Sequence, residues 1–435
     1  MESRMACRGA LIVVALAAGS LLAADANNQQ LAKRGFDWPQ WRGPLRDGVS
    51  TETGLLKAWG EKGPPLAWRA AGLGQGYSSV SIADGRIFTL GKRGKDEFII
   101  ALDANHEGQE LWAARLGDAW RDGPRGTPTV DQGLVFAVGP HGDLVCVEAA
   151  TGKEVWRKSY QKSFGGKMMS GWGYCESPLV DGDRLICTPG AKDAGIVALN
   201  KNTGELIWKC EIPKLGDQGR DGAGYSSIVI TEAAGVRQYV QLLGRGCVGI
   251  AAADGKFLWG YNKIANGTAN IPTPIVRGDF VFCTSGYGEG GAALLKLSRE
   301  GDGIAAHEVY YYPAKKLQNH HGGLVLVGDY IYGGRGHNNG FPVCIEMQTG
   351  KIAWSKDRGP GTGSAAVVSA DGELYFRYEN GLMALIEATP QGYKEHGTFM
   401  IPDVHNPSWA HPVVAGGKLY LREQDNLFVY QIAEN

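Results

Sequence analysis

The stretch VEAATGKEVWRKSY, Val147 to Tyr160, joins the end of an apolar strand to a Thr-Gly turn and sets Trp156 four residues after Gly152. A Gly-x-x-x-Trp unit means little once and defines an architecture when it recurs at a regular interval. It recurs as GQELW, GKEVW, GELIW, GKFLW and GKIAW, ending at Trp112, Trp156, Trp208, Trp259 and Trp354. The intervals are 44, 52, 51 and 95 residues, the last being two periods with a degenerate unit, GIAAHEVYYY, between them. A final degenerate copy, ALIEATPQGYKEHGTFMI, brings the closing units to seven.

A second landmark counts eight. SVSIADGRIFTL, TPTVDQGLVFAV, SPLVDGDRLICT, TPIVRGDFVFCT, LVLVGDYIYG, AVVSADGELYF and PVVAGGKLYL each alternate apolar residues around a Gly turn, and SIVITEAAGVRQYVQLL is a looser eighth. Asp-Gly and Gly-Asp supply the positive φ that tight hairpins need. The mismatch resolves at the chain ends: HPVVAGGKLYLREQDNLFVYQI gives three strands without a fourth, and GPPLAWRA around Trp68 is a fourth without its three. Shared by both ends, one blade closes the ring and removes the exposed edges an open array would carry. The sequence therefore predicts an all-β fold, an eight-bladed β-propeller of four-stranded antiparallel blades over residues 61–435, after a lead-in over 27–60. The tryptophans are expected to pack between neighbouring blades rather than to floor a cofactor site.

Composition agrees with many short strands: 65 Gly, 12 Trp and 17 Tyr in 435 residues disfavour helices. Lys plus Arg number 44 against 45 Asp plus Glu, with no block of like charge, so neither nucleic acid nor anionic lipid is an expected partner. Residues 1–26 read as a secretory signal peptide: Arg4 and Arg8 precede an apolar run from Ala10 to Ala24 and a small-x-small site at Ala24-Asp25-Ala26. An uncleaved membrane anchor is the competing reading, although the run is shorter than a span requires. The mature protein is expected to be periplasmic or extracellular, soluble and monomeric.

Of eight cysteines, Cys7 falls in the leader, and Cys146, Cys175, Cys187, Cys210, Cys247, Cys283 and Cys344 remain, an odd number with no Cys-x-x-Cys. Cys187 and Cys283 share one repeat position, Cys146 and Cys344 another, and matching positions do not face each other. They read mainly as small buried apolar residues.

The units ALDANHEGQELW, ALNKNTGELIW and CIEMQTGKIAW resemble the repeat of pyrroloquinoline-quinone-like propellers, the quinoprotein alcohol-dehydrogenase-like superfamily, over about residues 60–435. That family holds quinone-dependent dehydrogenases and binding-only propellers such as outer-membrane protein assembly factor B. The lead-in FDWPQWRGPLRDGVSTETGLLKAWGEKGPPLAWRAAGLGQGYSS is similar to that of exported planctomycete-type propellers. For a dehydrogenase the resemblance implies a calcium site of carboxylate and amide oxygens, a catalytic Asp, a cation near the quinone carbonyls and an aromatic stacked on the ring. The adjacent-cysteine pair of the alcohol dehydrogenases has no counterpart here.

Propellers place function on the loops that lead into the innermost strand of each blade. Here these loops contain GQGYSS, RGTPT, GWGYCESP, GAGYSS, NIPTP, NHHGG, GTGSA and SWAHP. They nominate the aromatic residues Tyr77, Trp172, Tyr225 and Trp409, the charged residues Arg125 and Glu176, and the imidazoles His320, His321 and His411 as one channel mouth. Tyr77 and Tyr225 are equivalent in the repeat, so packing explains them as readily as ligand contact. His320 and His321 are adjacent, and strand alternation would turn only one of them inward. Glu176 with His321 and His411 has ligand types for a transition metal, and Glu176 is also the one residue nominated for calcium. Asp122, Asp217 and Asp221 stand a few residues before such loops as the available candidates for a general base. The expected function is a non-catalytic exported scaffold that binds a protein or a small-molecule or sugar ligand at its channel mouth. The alternative is a calcium- and pyrroloquinoline-quinone-dependent dehydrogenase of an alcohol or sugar-like substrate.

Overall fold

Asp84 and Gly85, at φ 50° and 71°, turn the strand Ser81–Ala83 back into Arg86–Arg93, as a two-residue hairpin loop demands. The same device, with variations, starts each of eight blades. The computed structural model describes residues 37–434; the segment expected to be a signal peptide and the first part of the lead-in lie outside the described residues. Blades 1 to 7 span residues 81–118, 129–159, 179–210, 229–261, 275–313, 324–355 and 365–400. Blade 8 takes three strands from residues 413–431 and its fourth, Leu66–Ala70, from the other end of the chain. Ring closure is thus by a shared blade. Among the described residues the one α-helix is the single turn Tyr160–Phe164, and no helix is long and apolar enough to cross a membrane.

The apolar cores lie between blades rather than within them. One cluster joins Leu90 and Ile99 of blade 1 to Val135 and Val145 of blade 2, and another carries the contact from Tyr375 of blade 7 through Phe428 of blade 8 to Ile87 of blade 1. The Gly-x-x-x-Trp unit supplies the outer part of these interfaces. In every blade the pairing of the third and fourth strands slips by one residue, for example between Glu154 and Trp156 and between Leu66 and Trp68. Such a bulge re-aims the next side chain. The indole N–H of Trp112 then donates to Ala149 O of the next blade at 3.2 Å, Trp156 to Lys201 O at 2.9 Å and Trp354 to Thr389 O at 2.7 Å. Burying one such ring is worth on the order of 4 to 6 kcal/mol gross.

The two degenerate units find substitutes. In blade 5, Tyr310 replaces the tryptophan and donates to Met347 O at 2.8 Å. In blade 7 the position is Gly397, and Trp59 of the lead-in fills the space above it, its ring 5.3 Å from Phe399 and 5.7 Å from Tyr375.

The lead-in runs through the middle of the ring. Trp38 exchanges backbone hydrogen bonds with Ile82 of blade 1, and Pro39 O accepts from Val130 N of blade 2. Arg46 donates to Ser177 O and Pro178 O at the start of blade 3, at 2.6 and 3.1 Å. Trp41 Nε1 donates to Thr273 Oγ1 before blade 5 at 3.1 Å, and Arg42 donates to Leu324 O of blade 6. Val49–Ser50 then pairs in parallel with Ser369 and Ala370 of blade 7, and Leu55 bridges Ala433 beyond blade 8. Residues 38–50 therefore run along the inner strands that enclose the channel, and Leu55 lies beyond them.

Candidate functional site

Because the lead-in fills the channel, the loops leading into the innermost strands surround a cup with a floor. The cup is a cavity of about 310 Å³. Trp41 and Arg42 of the lead-in form its base, and its walls include Tyr77, Arg125, Trp172, Tyr225, Trp409 and the histidines 320, 321 and 411. Eight of the nine residues nominated from sequence thus line one cavity, although they come from loops of six different blades.

Glu176 does not. Its Oε1 accepts from Tyr160 O–H at 2.5 Å and from Thr188 N at 2.8 Å, and the side chain is buried in the wall behind the cavity. Burial raises its pKa. The chain bends at His321 and Gly322 before the strand Leu324–Val327 begins, so strand alternation does not apply and both His320 and His321 reach the cavity. Their ring centroids are 4.2 Å apart.

The rings form a nearly continuous wall. Tyr77 lies 4.7 Å from Trp409, and Trp409 lies 4.9 Å from His321. Across the cup Trp172 meets Tyr225 edge-on at 6.0 Å. Equivalent in the repeat, Tyr77 and Tyr225 have different surroundings: the guanidinium of Arg125 sits 5.8 Å from the Tyr77 ring, while Tyr225 O–H pairs with Ser170 Oγ at 2.7 Å. Trp409 is held from behind. Arg377 donates to Ser408 Oγ and Ala410 O on either side of it, at 3.0 and 2.8 Å, and pairs with the buried Glu423 at 2.7 Å.

The histidines are neutral bonding groups. Burial, with His337 adding a smaller push, lowers His320 to about 4, and burial together with the Arg42 charge lowers His411 to about 3. His321 is also driven well down, by burial first and by His320 second. Arg125 is committed to its neighbours: Nη2 pairs with Asp122 Oδ2 at 2.7 Å and Nη1 donates to Trp172 O at 3.0 Å. Several buried polar atoms around the cup have no protein partner, among them His320 Nε2, His321 Nε2, His411 Nδ1, Trp409 Nε1 and Asp122 Oδ1. Such atoms are costly unless something meets them.

Calcium needs several hard oxygen donors. The cavity offers one carboxylate, Asp122, already paired with Arg125, and no side-chain amide. Asp217 pairs with Lys214 at 2.7 Å and Asp221 with Arg245, and neither lines the cavity. Among the described residues no group of three or more His, Cys, Asp or Glu is placed to hold a metal ion. The residues present do not fit a calcium-quinone cradle. Cys175 also lines the cup, and burial pushes its thiol up to about 11, so it is not a thiolate nucleophile at neutral pH.

The sequence reading missed Trp41, Arg42 and Tyr287, which also line the cavity. The one signal for the first two was the density of Trp, Arg, Pro and Gly in WPQWRGPLRDG, which marks an ordered non-repeat segment without saying where it goes.

A family model described as outer membrane protein assembly factor BamB matches residues 95–356. The chain belongs to this family of pyrroloquinoline-quinone-like β-propellers. Among curated proteins it is similar to a quinoprotein ethanol dehydrogenase of Pseudomonas aeruginosa, 28% identical over 120 residues, which are 26% of this chain and 17% of that protein. The chain therefore matches only a small part of that relative's length. Among solved structures it is similar to BamB from Moraxella catarrhalis, with a TM-score of 0.60 at 15% identity over 85% of this chain and 99% of that one. It is similar as well to a quinohemoprotein alcohol dehydrogenase from Comamonas testosteroni, with a TM-score of 0.63 at 13% identity over 92% of this chain and 81% of that one. At these identities the likeness is one of fold.

Proposed function

We propose that this protein is an exported, non-catalytic binding propeller whose channel mouth takes a small ring-bearing ligand. The observation that carries this reading is the floored cup itself, aromatic on its walls, neutral in its histidines and edged by buried polar atoms without partners. Its volume, about 310 Å³, is at the low end for small-molecule sites and suits one or two rings. A protein-docking face has less support: the large exposed apolar residues Leu66, Leu111, Val155, Leu206 and Val309 are spread over the outer strands of five blades rather than gathered.

The experiment is a calorimetric titration of the mature protein with single-ring sugars and with pyrroloquinoline quinone, with and without calcium. Calcium-independent binding with no dye-linked oxidation supports the binding reading. Calcium-dependent binding of the quinone, with oxidation of an alcohol or sugar, would replace it with the dehydrogenase alternative.

A further inference from the structure

Arg42 is 4% exposed, yet its side chain is only half employed. Nη2 donates to Asp47 O at 2.7 Å and to Leu324 O, which ties the lead-in to blade 6. Nε and Nη1 are buried without a partner. Nη1 is enclosed just behind the cavity wall, against Gly323: a methyl group there would stand 2.5 Å from it and 3.5 Å from His411 Cε1, and Gly323, His411 and Arg42 all line the cup, so a ligand that parts this wall meets Nη1. Among the described residues Arg42 makes no ion pair. Asp47 acts on it only at longer range, and Asp47 Oδ1 accepts from Val49 N at 3.0 Å.

The charges around the cup do not balance. Arg125 is neutralised by Asp122, the exposed Arg121 also lines the cup and adds to the positive side, and His411 beside Arg42 is uncharged. A buried guanidinium with free N–H groups carries an unrecovered desolvation cost, and an anion delivered to it forms the strong, charge-assisted kind of hydrogen bond.

We propose that Arg42 is the anion anchor of the channel mouth and that the ligand is a ring-borne carboxylate, its ring against Trp409 and Tyr77 and its carboxylate on Arg42 Nη1. This deepens the binding reading above and rests on it. The lead-in then does more than plug the channel: it sets which ligands are held.

The test uses two acid and amide pairs, benzoate with benzamide and glucuronate with glucuronamide, titrated at pH 7.5 by calorimetry and by tryptophan fluorescence. In at least one pair the acid should bind tenfold tighter or more. Arg42→Gln should remove that preference and leave amide affinity within about twofold, while Arg42→Lys should keep part of it. If amides bind as tightly as acids, the anchor is wrong and the binding reading stands. An acid preference that survives Arg42→Gln in folded protein also overturns it, since the anchor is then another cation. Binding by neither pair overturns the anchor and the binding reading together. Should Arg42→Gln fail to fold, the wild-type comparison and Arg42→Lys still decide: an Arg42→Lys protein with unaltered affinities for both members counts against a guanidinium anchor.

Discussion

Trp112 of blade 1 lies over Gly152 of blade 2 so closely that a Cβ on Gly152 would stand 2.6 Å from the indole. The same contact joins Trp156 to Gly204 and Trp208 to Gly255. The Gly and the Trp of one Gly-x-x-x-Trp unit therefore serve different interfaces: the Trp covers the following blade's glycine, and the Gly is covered by the preceding blade's tryptophan. Gly152 is also at φ 73°, where an alanine is strained.

Gly152→Ala should destabilise the protein by roughly 2 kcal/mol or more, from backbone strain plus overpacking. Equilibrium denaturation in urea measures it, and an unchanged midpoint would show that the indole can move aside freely.

Trp59→Ala removes the ring that stands in for the missing blade-7 tryptophan. The loss should be about 3 to 5 kcal/mol, the range for a large aromatic truncated in a core. Trp59 is 7% exposed and its backbone N–H donates to His396 O at 2.9 Å, so the lead-in should also loosen near this point. Faster amide exchange in residues 55–60 would record that loosening; exchange as slow as in the parent would mean that the backbone pairing alone holds the segment.

Gly-x-x-x-Trp spacing made the blades legible because each blade repeats one steric solution, and the shared eighth blade followed from counting strands. The cup was partly legible, because the residues before each innermost strand must meet at one mouth. Glu176 was misplaced because position in the repeat does not distinguish a side chain turned to the channel from one turned to Tyr160 and Thr188. Alternation misled for His320 and His321 because it holds in strands and these residues precede one. Trp41 and Arg42 were legible only as part of an ordered non-repeat segment, not as part of the cup. Their segment has no repeat partner, and Arg42 and Arg46 sit at φ 61° and 58°, a left-handed backbone that an arginine code does not announce.

Arg377 and Glu423 form a buried ion pair beneath the Trp409 loop, both fully enclosed. Removing one charge leaves the other unpaired, so Glu423→Leu or Arg377→Met should each cost about 3 to 5 kcal/mol, and the double variant Arg377→Met/Glu423→Leu less than the two losses added together. A double-mutant cycle in urea gives the coupling. Strict additivity would mean that the pair does not act as a unit. Because Arg377 also holds Ser408 and Ala410, ligand affinity should fall in Arg377→Met.

The cavity histidines should make the fold sensitive to acid. His411 and His320 titrate near 3 and 4 in the folded protein, against the ordinary 6.5, chiefly because burial opposes their charge. Below about pH 6.5 the unfolded chain takes up protons that the folded chain refuses, so the stability these groups contribute is complete above 6.5 and declines as pH falls toward 4 and then 3. Glu97 acts oppositely: burial raises it to about 7, so over the range from 7 down to 4.5 the folded state binds the proton more tightly and gains. The net curve mixes both signs, and a comparison of variants separates them. His320→Gln should flatten the loss of stability between pH 6.5 and 4, and Glu97→Gln should steepen it, in urea midpoints measured at pH 7.5, 6 and 5. If His320→Gln leaves the slope unaltered, His320 is protonated as readily in the fold as outside it, and the neutral lining that the ligand reading relies on is wrong at this residue.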